Sequence, residues 1–146
     1  MFGRAATCGA MVCCVLALVG CGESRLRTAK VTGKVNYKGK PVPNGTVMFI
    51  PEGGGPSSTG TIQTDGSFTM TTYTTGDGAI LGKHKVVIAA MADMGDLLPE
   101  SRNPLPPPIV PEKYTSPATS TLTTEVKDGD NTPVFDLVDD KPAKAR

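Results

Sequence analysis

The side chains of this chain best suited to covalent, metal or acid–base chemistry are four cysteines, one histidine and a few acidic pairs. Cys8, Cys13, Cys14 and Cys21 all fall within the first 21 residues, so everything after them lacks a thiol. A zinc site built from nitrogen and sulfur needs three or four ligands, and His84 is the only histidine. Zinc is therefore excluded, and His84 is expected to be a partly buried structural side chain at the start of a strand. Asp128-Gly129-Asp130-Asn131 begins like a calcium loop. Such a loop needs Gly at its sixth position and a closing Glu, but Pro133 occupies the sixth position and no Glu follows. A turn is the plain reading, and weak calcium binding through Asp139 and Asp140 is the alternative. Gly78 to His84 has three residues between Gly78 and Gly82, and no Ser or Thr after Lys83. A phosphate loop needs four such residues and the hydroxyl. Gly55-Pro56-Ser57-Ser58-Thr59-Gly60 has its glycines at the wrong spacing for a serine nucleophile elbow. Acid–base catalysis by paired carboxylates needs a cleft, and nothing in the pattern places one. The expectation is no catalytic residue, no cofactor, no metal and no enzyme.

Cys21 is the exception, because of what precedes it. Arg4 is the only charge in residues 1–20, and Ala10 to Val19 is an unbroken apolar run. Ten residues are too few for a helix to cross a hydrocarbon core of roughly 30 Å, which takes about 20. A charged start, a short apolar stretch and small residues at its end make a secretory signal. Leu18-Val19-Gly20-Cys21 resembles the bacterial lipobox. That resemblance implies diacylglycerol attached to the Cys21 thiol and cleavage between Gly20 and Cys21. It also implies a bacterial cell-envelope location, with the membrane as partner through the lipid. Gly22 stands where many inner-membrane lipoproteins carry a retention Asp, which favours the outer membrane. With the signal gone, Cys21 is the one remaining cysteine and no disulfide is expected, although an exported setting permits one.

Composition narrows what the rest can be. The chain has 146 residues, 15 Lys+Arg and 14 Asp+Glu, enough for one domain. Loss of Arg4 with the signal leaves 14 basic residues against 14 acidic, so charge adds no attraction to anionic lipid. A nucleic-acid binder shows a basic excess, and none is present. Aromatics make up 5% with no Trp, which weakens a glycan-platform reading. The 17 Gly and 13 Pro, with abundant Thr and Val, point to short strands and frequent turns.

Alternation of period two places the strands. Val31, Gly33, Val35 and Tyr37 share one face; Thr32, Lys34, Asn36 and Lys38 share the other. Residues 46–50 form the most apolar strand and are expected to be central. Residues 60–64 and 67–71 flank Asp65-Gly66, a hairpin signal. Residues 84–90 make another strand, and 121–126 is expected to pair with 133–138 across Asp128 to Asn131. Seven strands and no helix suit a two-sheet sandwich. Residues 21–29 read as the lipidated Cys and a tether, 30–138 as the domain, and 139–146 as a polar tail. Residues 91–112 hold Pro99, Pro104, Pro106, Pro107, Pro108 and Pro111, so they read as a long surface loop.

The run from Val31 to Phe49 resembles the carboxypeptidase-regulatory-like domain. Thr64-Asp65-Gly66-Ser67-Phe68 is similar to that family's hairpin, and Leu81 to Ile88 to its "Pro-Gly-x-Tyr-x-Val" strand. Leu81 stands in place of the Pro and His84 in place of the Tyr. The resemblance covers about residues 30–138 and implies an all-β, seven-stranded transthyretin-like/immunoglobulin-like β-sandwich after a cleaved lipoprotein signal peptide. It implies a non-catalytic domain with a structural or protein-interaction role in the envelope. The alternative is a ligand-binding module for a peptide, a glycan or a small hydrophobe, which a pocket lined by several aromatics would favour. Transthyretin-like folds also include a hydroxyisourate hydrolase branch that relies on several histidines; a single His84 excludes it.

Overall fold

The computed structural model describes residues 25–92 and 108–139. The regular secondary structure of the described residues is almost wholly β. Its strands are β1 (Thr28–Ala29), β2 (Thr32–Tyr37), β3 (Lys40–Pro41), β4 (Thr46–Pro51) and β5 (Ser58–Thr61), then β6 (Ser67–Thr69), β7 (Ala79–Ile80), β8 (Gly82–Ala89), β9 (Thr123–Val126) and β10 (Val134–Leu137). One 3₁₀ turn, Glu112–Tyr114, interrupts them. Three strands, β1, β3 and β7, are two residues long; the longer strands overlap the alternating runs, with β5 shifted to Ser58–Thr61 from the expected 60–64.

Two four-stranded sheets carry the core. In one, β10 lies beside β2, whose other edge takes β6 along Thr32–Lys34 and β3 along Asn36–Tyr37. In the other the order is β5-β4-β8-β9, so the apolar strand β4 is interior. The inward residues of β2, Val31 (just before it), Gly33 and Val35, are buried while Thr32 and Lys34 are exposed. Phe49 of β4 crosses to the opposite sheet and meets Phe68 at 6.3 Å and Phe135 at 6.0 Å, both edge-on. Phe68 and Phe135 stack at 6.1 Å. Such ring pairs each contribute about 0.5–1.5 kcal/mol beyond their buried area. Gly33 makes room for them: a Cβ there would lie 2.4 Å from Cζ of Phe68.

Four expectations need correction. Residues 121–126 and 133–138 are not a hairpin: β9 pairs with β8, and β10 runs parallel to β2 in the other sheet. The Asn131 side chain causes the crossing. Its Oδ1 accepts from the Lys127 N–H, and its Nδ2 donates to the carbonyls of Lys127 and Gly129. Its backbone N–H donates to Lys30 O, so the loop closes on β2 instead of returning along β9. The hairpin at Asp65-Gly66 is real at its tip, where Gly66 N–H reaches Gln63 O at 2.8 Å with Gly66 at φ +78°. Its arms remain bridged at Thr59–Thr71, where each N–H reaches the other's carbonyl, while each also takes a second neighbour, β5 pairing with β4 and β6 with β2. Third, the tether is shorter than residues 21–29. Thr28–Ala29 pairs antiparallel with β7, Ala29 is buried, and Leu81 N–H bonds Arg27 O. Fourth, Asp139 does not belong to a free tail, since it accepts from the Tyr37 hydroxyl and pairs with Lys38 at 2.9 Å.

The registers define two ends. Pro51 faces His84, Gly82 faces Val126, and β1 faces β7, which gathers residues 25–30, 52–56, 72–82 and 127–131 at an N-terminal pole. Thr46 faces Ala89, Leu137 faces Tyr37, and Tyr37 faces Lys40. Residues 37–45, 63–66, 89–91 and 108–114 therefore share a distal pole. At about 3.3 Å per residue the eight residues of β8 hold the poles roughly 26 Å apart.

Candidate functional site

Gly20 and Cys21 lie outside the described residues, as do residues 1–24, 93–107 and 140–146. The positions expected to carry lipid and cleavage, and most of the Pro-rich loop, therefore fall outside what the structure describes. The described chain begins at the N-terminal pole. Residues 91, 92 and 108–112 put both ends of the Pro-rich loop at the distal pole.

The N-terminal pole is stitched by polar groups. The Asp77 carboxylate accepts the backbone N–H groups of Thr72, Tyr73 and Thr74 at 2.7–3.1 Å. Burial pushes its pKa up, but the three donors outweigh burial and hold it below the usual 3.8. Thr72 bridges this loop to the sheet, with its hydroxyl at 2.8 Å from Gly78 O and 2.7 Å from the Ser58 hydroxyl. Tyr73 in turn holds the incoming chain. Its hydroxyl accepts the Leu26 N–H at 3.1 Å, and its ring lies 5.3 Å below the Arg25 guanidinium. Every oxygen in this set serves loop structure.

His84 is buried more completely than a partly buried structural residue, with no exposed surface. Its Nε2 lies 2.6 Å from Ile80 O, so Nε2–H donates there and ties β8 to β7. Its ring tilts against Phe49 at 5.7 Å, and Nδ1 has no partner among the described residues. Asp128 pairs with Arg27 at 3.0 Å, and the Asp128–Asn131 stretch is a turn shaped by Asn131. Among the described residues no three His, Cys, Asp or Glu side chains converge as a metal would need. Gly78 to Gly82 is committed to β7, and Ser58 is buried on β5.

Grooves among the described residues include three of note. One, about 430 Å³, runs beside β5 and β6 and is lined mainly by Thr46, Thr59, Thr61, Thr69 and Thr71 with Phe68. The second, about 350 Å³, lies at the distal pole between Tyr37, Pro41, Val42, Pro43 and Ile109 and is predominantly apolar. A third, about 160 Å³, has Phe49 at its floor and Asn131 on its wall. Each holds a single aromatic residue, since Phe49, Phe68 and Phe135 are spent on one another in the core. The pocket of several aromatics that would favour a ligand carrier is not what these grooves are.

The distal groove adjoins the ends of the Pro-rich loop. Met91 bridges Pro108, and Ile109 N–H donates to Ala90 O at 3.0 Å. Val86 N–H bonds Leu122 O from the same side of β8, because alternate residues of a strand turn their backbone groups the same way. The returning chain thus extends the line of β9 along the β8 edge. Val110 and Tyr114 then enter the core. Asp139 closes this pole. Hydrogen bonding from Tyr37 and then Lys38 lowers its pKa below 3.8, while hydrogen bonding to Asp139 and then Tyr37 raises that of Lys38. Sequence reasoning missed Asp77 and Tyr73, and it offered Asp139 for weak calcium binding where the structure pairs it with Tyr37 and Lys38. The signal for Asp77 was Thr-rich chain followed by Asp-Gly, which reads only as a loop.

No family model matches the chain, and neither a curated protein nor a solved structure matches it. No helix among the described residues is long and apolar enough to cross a membrane.

Proposed function

We propose that the protein is a lipid-anchored lipoprotein of the bacterial cell envelope, held through a diacylated Cys21 in the outer membrane, and that its β-domain is a non-catalytic structural or interaction module. Leu18-Val19-Gly20-Cys21 carries this reading. It ends an apolar run too short to span a bilayer, and an ordered domain follows within a few residues. One acyl chain binds membranes marginally, whereas two or more anchor stably, so the modified protein is permanently membrane-bound. The fold is proposed to be the transthyretin-like sandwich that the Val31–Phe49 run resembles. The two facing four-stranded sheets, closed by the first and last long strands lying side by side, support this. The interaction role rests on the distal pole, where an apolar groove and both ends of a Pro-rich loop meet. Recognition commonly falls to loops held on a rigid scaffold.

The test is the mass of the membrane-extracted protein. A diacylglycerol or triacyl increment on an N-terminal Cys21 is expected, with Cys21→Ala accumulating as uncleaved precursor. An unmodified Cys21 in mature protein sinks the proposal.

A further inference from the structure

We propose that the N-terminal pole is the membrane-facing surface of the domain, with Leu26 at the headgroup–acyl boundary and Arg25 and Tyr73 at headgroup level. This rests on lipid attachment at Cys21 and adds an orientation that attachment alone does not supply. The first observation is the leash. From Cys21 to Arg25 there are four Cα steps, at most about 14 Å fully extended. A flexible tether over residues 21–29 would let the domain tumble. Instead the chain is pinned from Leu26 onward, by its N–H on the Tyr73 hydroxyl and by the β1–β7 pairing.

The second observation is the chemistry of the surface so presented. Leu26 is 47% exposed and is the exposed large apolar side chain of this pole among the described residues, the others being Met91, Val134 and Val138. Beneath it runs Gly53-Gly54-Gly55, where a Cβ on Gly55 would lie 2.8 Å from the Leu26 Cδ1. The glycine loop therefore adds no bulk that would hold Leu26 off a flat surface. Arg25 lies over the Tyr73 ring, an aromatic–cation pair suited to the interface, where Tyr side chains and the heads of long basic side chains settle. The partner is the bilayer holding the acyl chains. The distal groove and the Pro-rich loop then point away from it, roughly 26 Å out.

The chain has no Trp, so single tryptophans report position without background. Gly53→Trp places the probe where a Cβ meets nothing within 4 Å, and Lys40→Trp places it on β3 at the distal pole. Each full-length variant is expressed, extracted from membranes and weighed. It is then reconstituted into phosphatidylethanolamine–phosphatidylglycerol vesicles containing bromine-labelled phosphatidylcholine. Groups within roughly 5–10 Å of the acyl boundary are quenched. The expected result is loss of about half or more of the emission at position 53 and almost none at position 40. Adding Leu26→Asp, at an exposed site, is expected to remove much of the quenching at position 53. Acylated protein with equal quenching at both positions, or more at position 40, overturns the orientation and leaves the lipoprotein reading standing. Unchanged quenching in the Leu26→Asp variant overturns insertion of Leu26. An unmodified Cys21 overturns both.

Discussion

The two poles of this sandwich are held by different physics. At the N-terminal pole, one carboxylate, one phenol and one carboxamide bind backbone groups: Asp77 within its own loop, Tyr73 and Asn131 on segments distant in sequence. At the distal pole, loop ends are clamped by burial of Val42, Val110 and Tyr114, and the polar pair Lys38–Asp139 lies on the exposed rim. Backbone hydrogen bonds to a charged acceptor fix a loop in one geometry. Apolar contacts are non-directional and hold a groove together without dictating its contents. A loop held in one geometry suits the first device, and a groove with an open surface suits the second.

The largest effect should come from the element the poles share. Phe49→Ala leaves a cavity among Phe68, Phe135 and His84, and should cost about 3–5 kcal/mol. Amide exchange should accelerate at both poles together. Acceleration at one pole alone would show that they do not share a core.

Gly78→Val acts on one pole. Gly78 has φ +89°, and a Cβ would lie 1.8 Å from Ala29 O, so β1 and β7 cannot stay paired. A cost of about 3 kcal/mol is expected. Amides of residues 28–29 and 79–81 should lose protection while Val42 and Tyr114 keep theirs. Uniform loss would erase the contrast between the poles.

Asp77→Ala removes the acceptor of three N–H groups and should cost about 1–2 kcal/mol in denaturant melts at pH 7. The sign of the pH effect follows from the lowered folded pKa. Asp77 contributes above the unfolded value of 3.8, and the contribution is lost as pH falls through the folded pKa. The gap between wild type and variant should therefore close on acidification below that value. A gap that widens with acid would contradict the role given to Asp77.

The smallest effect belongs to Asp139→Asn. Both partners of its ion pair are more than half exposed, where salt and solvent screen the attraction. No measurable change in melting is expected, although an NMR titration should place the Asp139 midpoint below 3.8. A substantial loss of stability would mean that the distal pole depends on its rim as well as on burial.

The β-rich character, the interior placement of residues 46–50 and the inward face of β2 were legible in the sequence. The period-two pattern reports which side of each strand meets the core. It is silent on which strand lies beside which. Residues 121–126 and 133–138 look like hairpin arms because a Gly-containing turn separates them, yet Asn131 binds Lys30 O, 101 residues away. No local pattern records that bond. Thr28–Ala29 was illegible for the same reason: two residues are too short to show alternation, and only β7 makes them a strand.

Local chemistry can be read residue by residue, so the all-β character, the apolar face of β2, the Gly66 turn and the resemblance of Leu18 to Cys21 to a lipobox were open to sequence reading alone. Tertiary structure alone decided that β10 joins β2, that His84 donates to Ile80, that Asp77 ends under three amides, and that the Pro-rich loop leaves from the pole opposite the tether. The first and last of these join groups brought together by the packing of the two sheets, whereas His84 and Asp77 bond backbone groups three to five residues away, where local loop geometry sets the partner. The Asn131 carboxamide does both, bonding Lys127 and Gly129 nearby and Lys30 across the fold at about 3 Å.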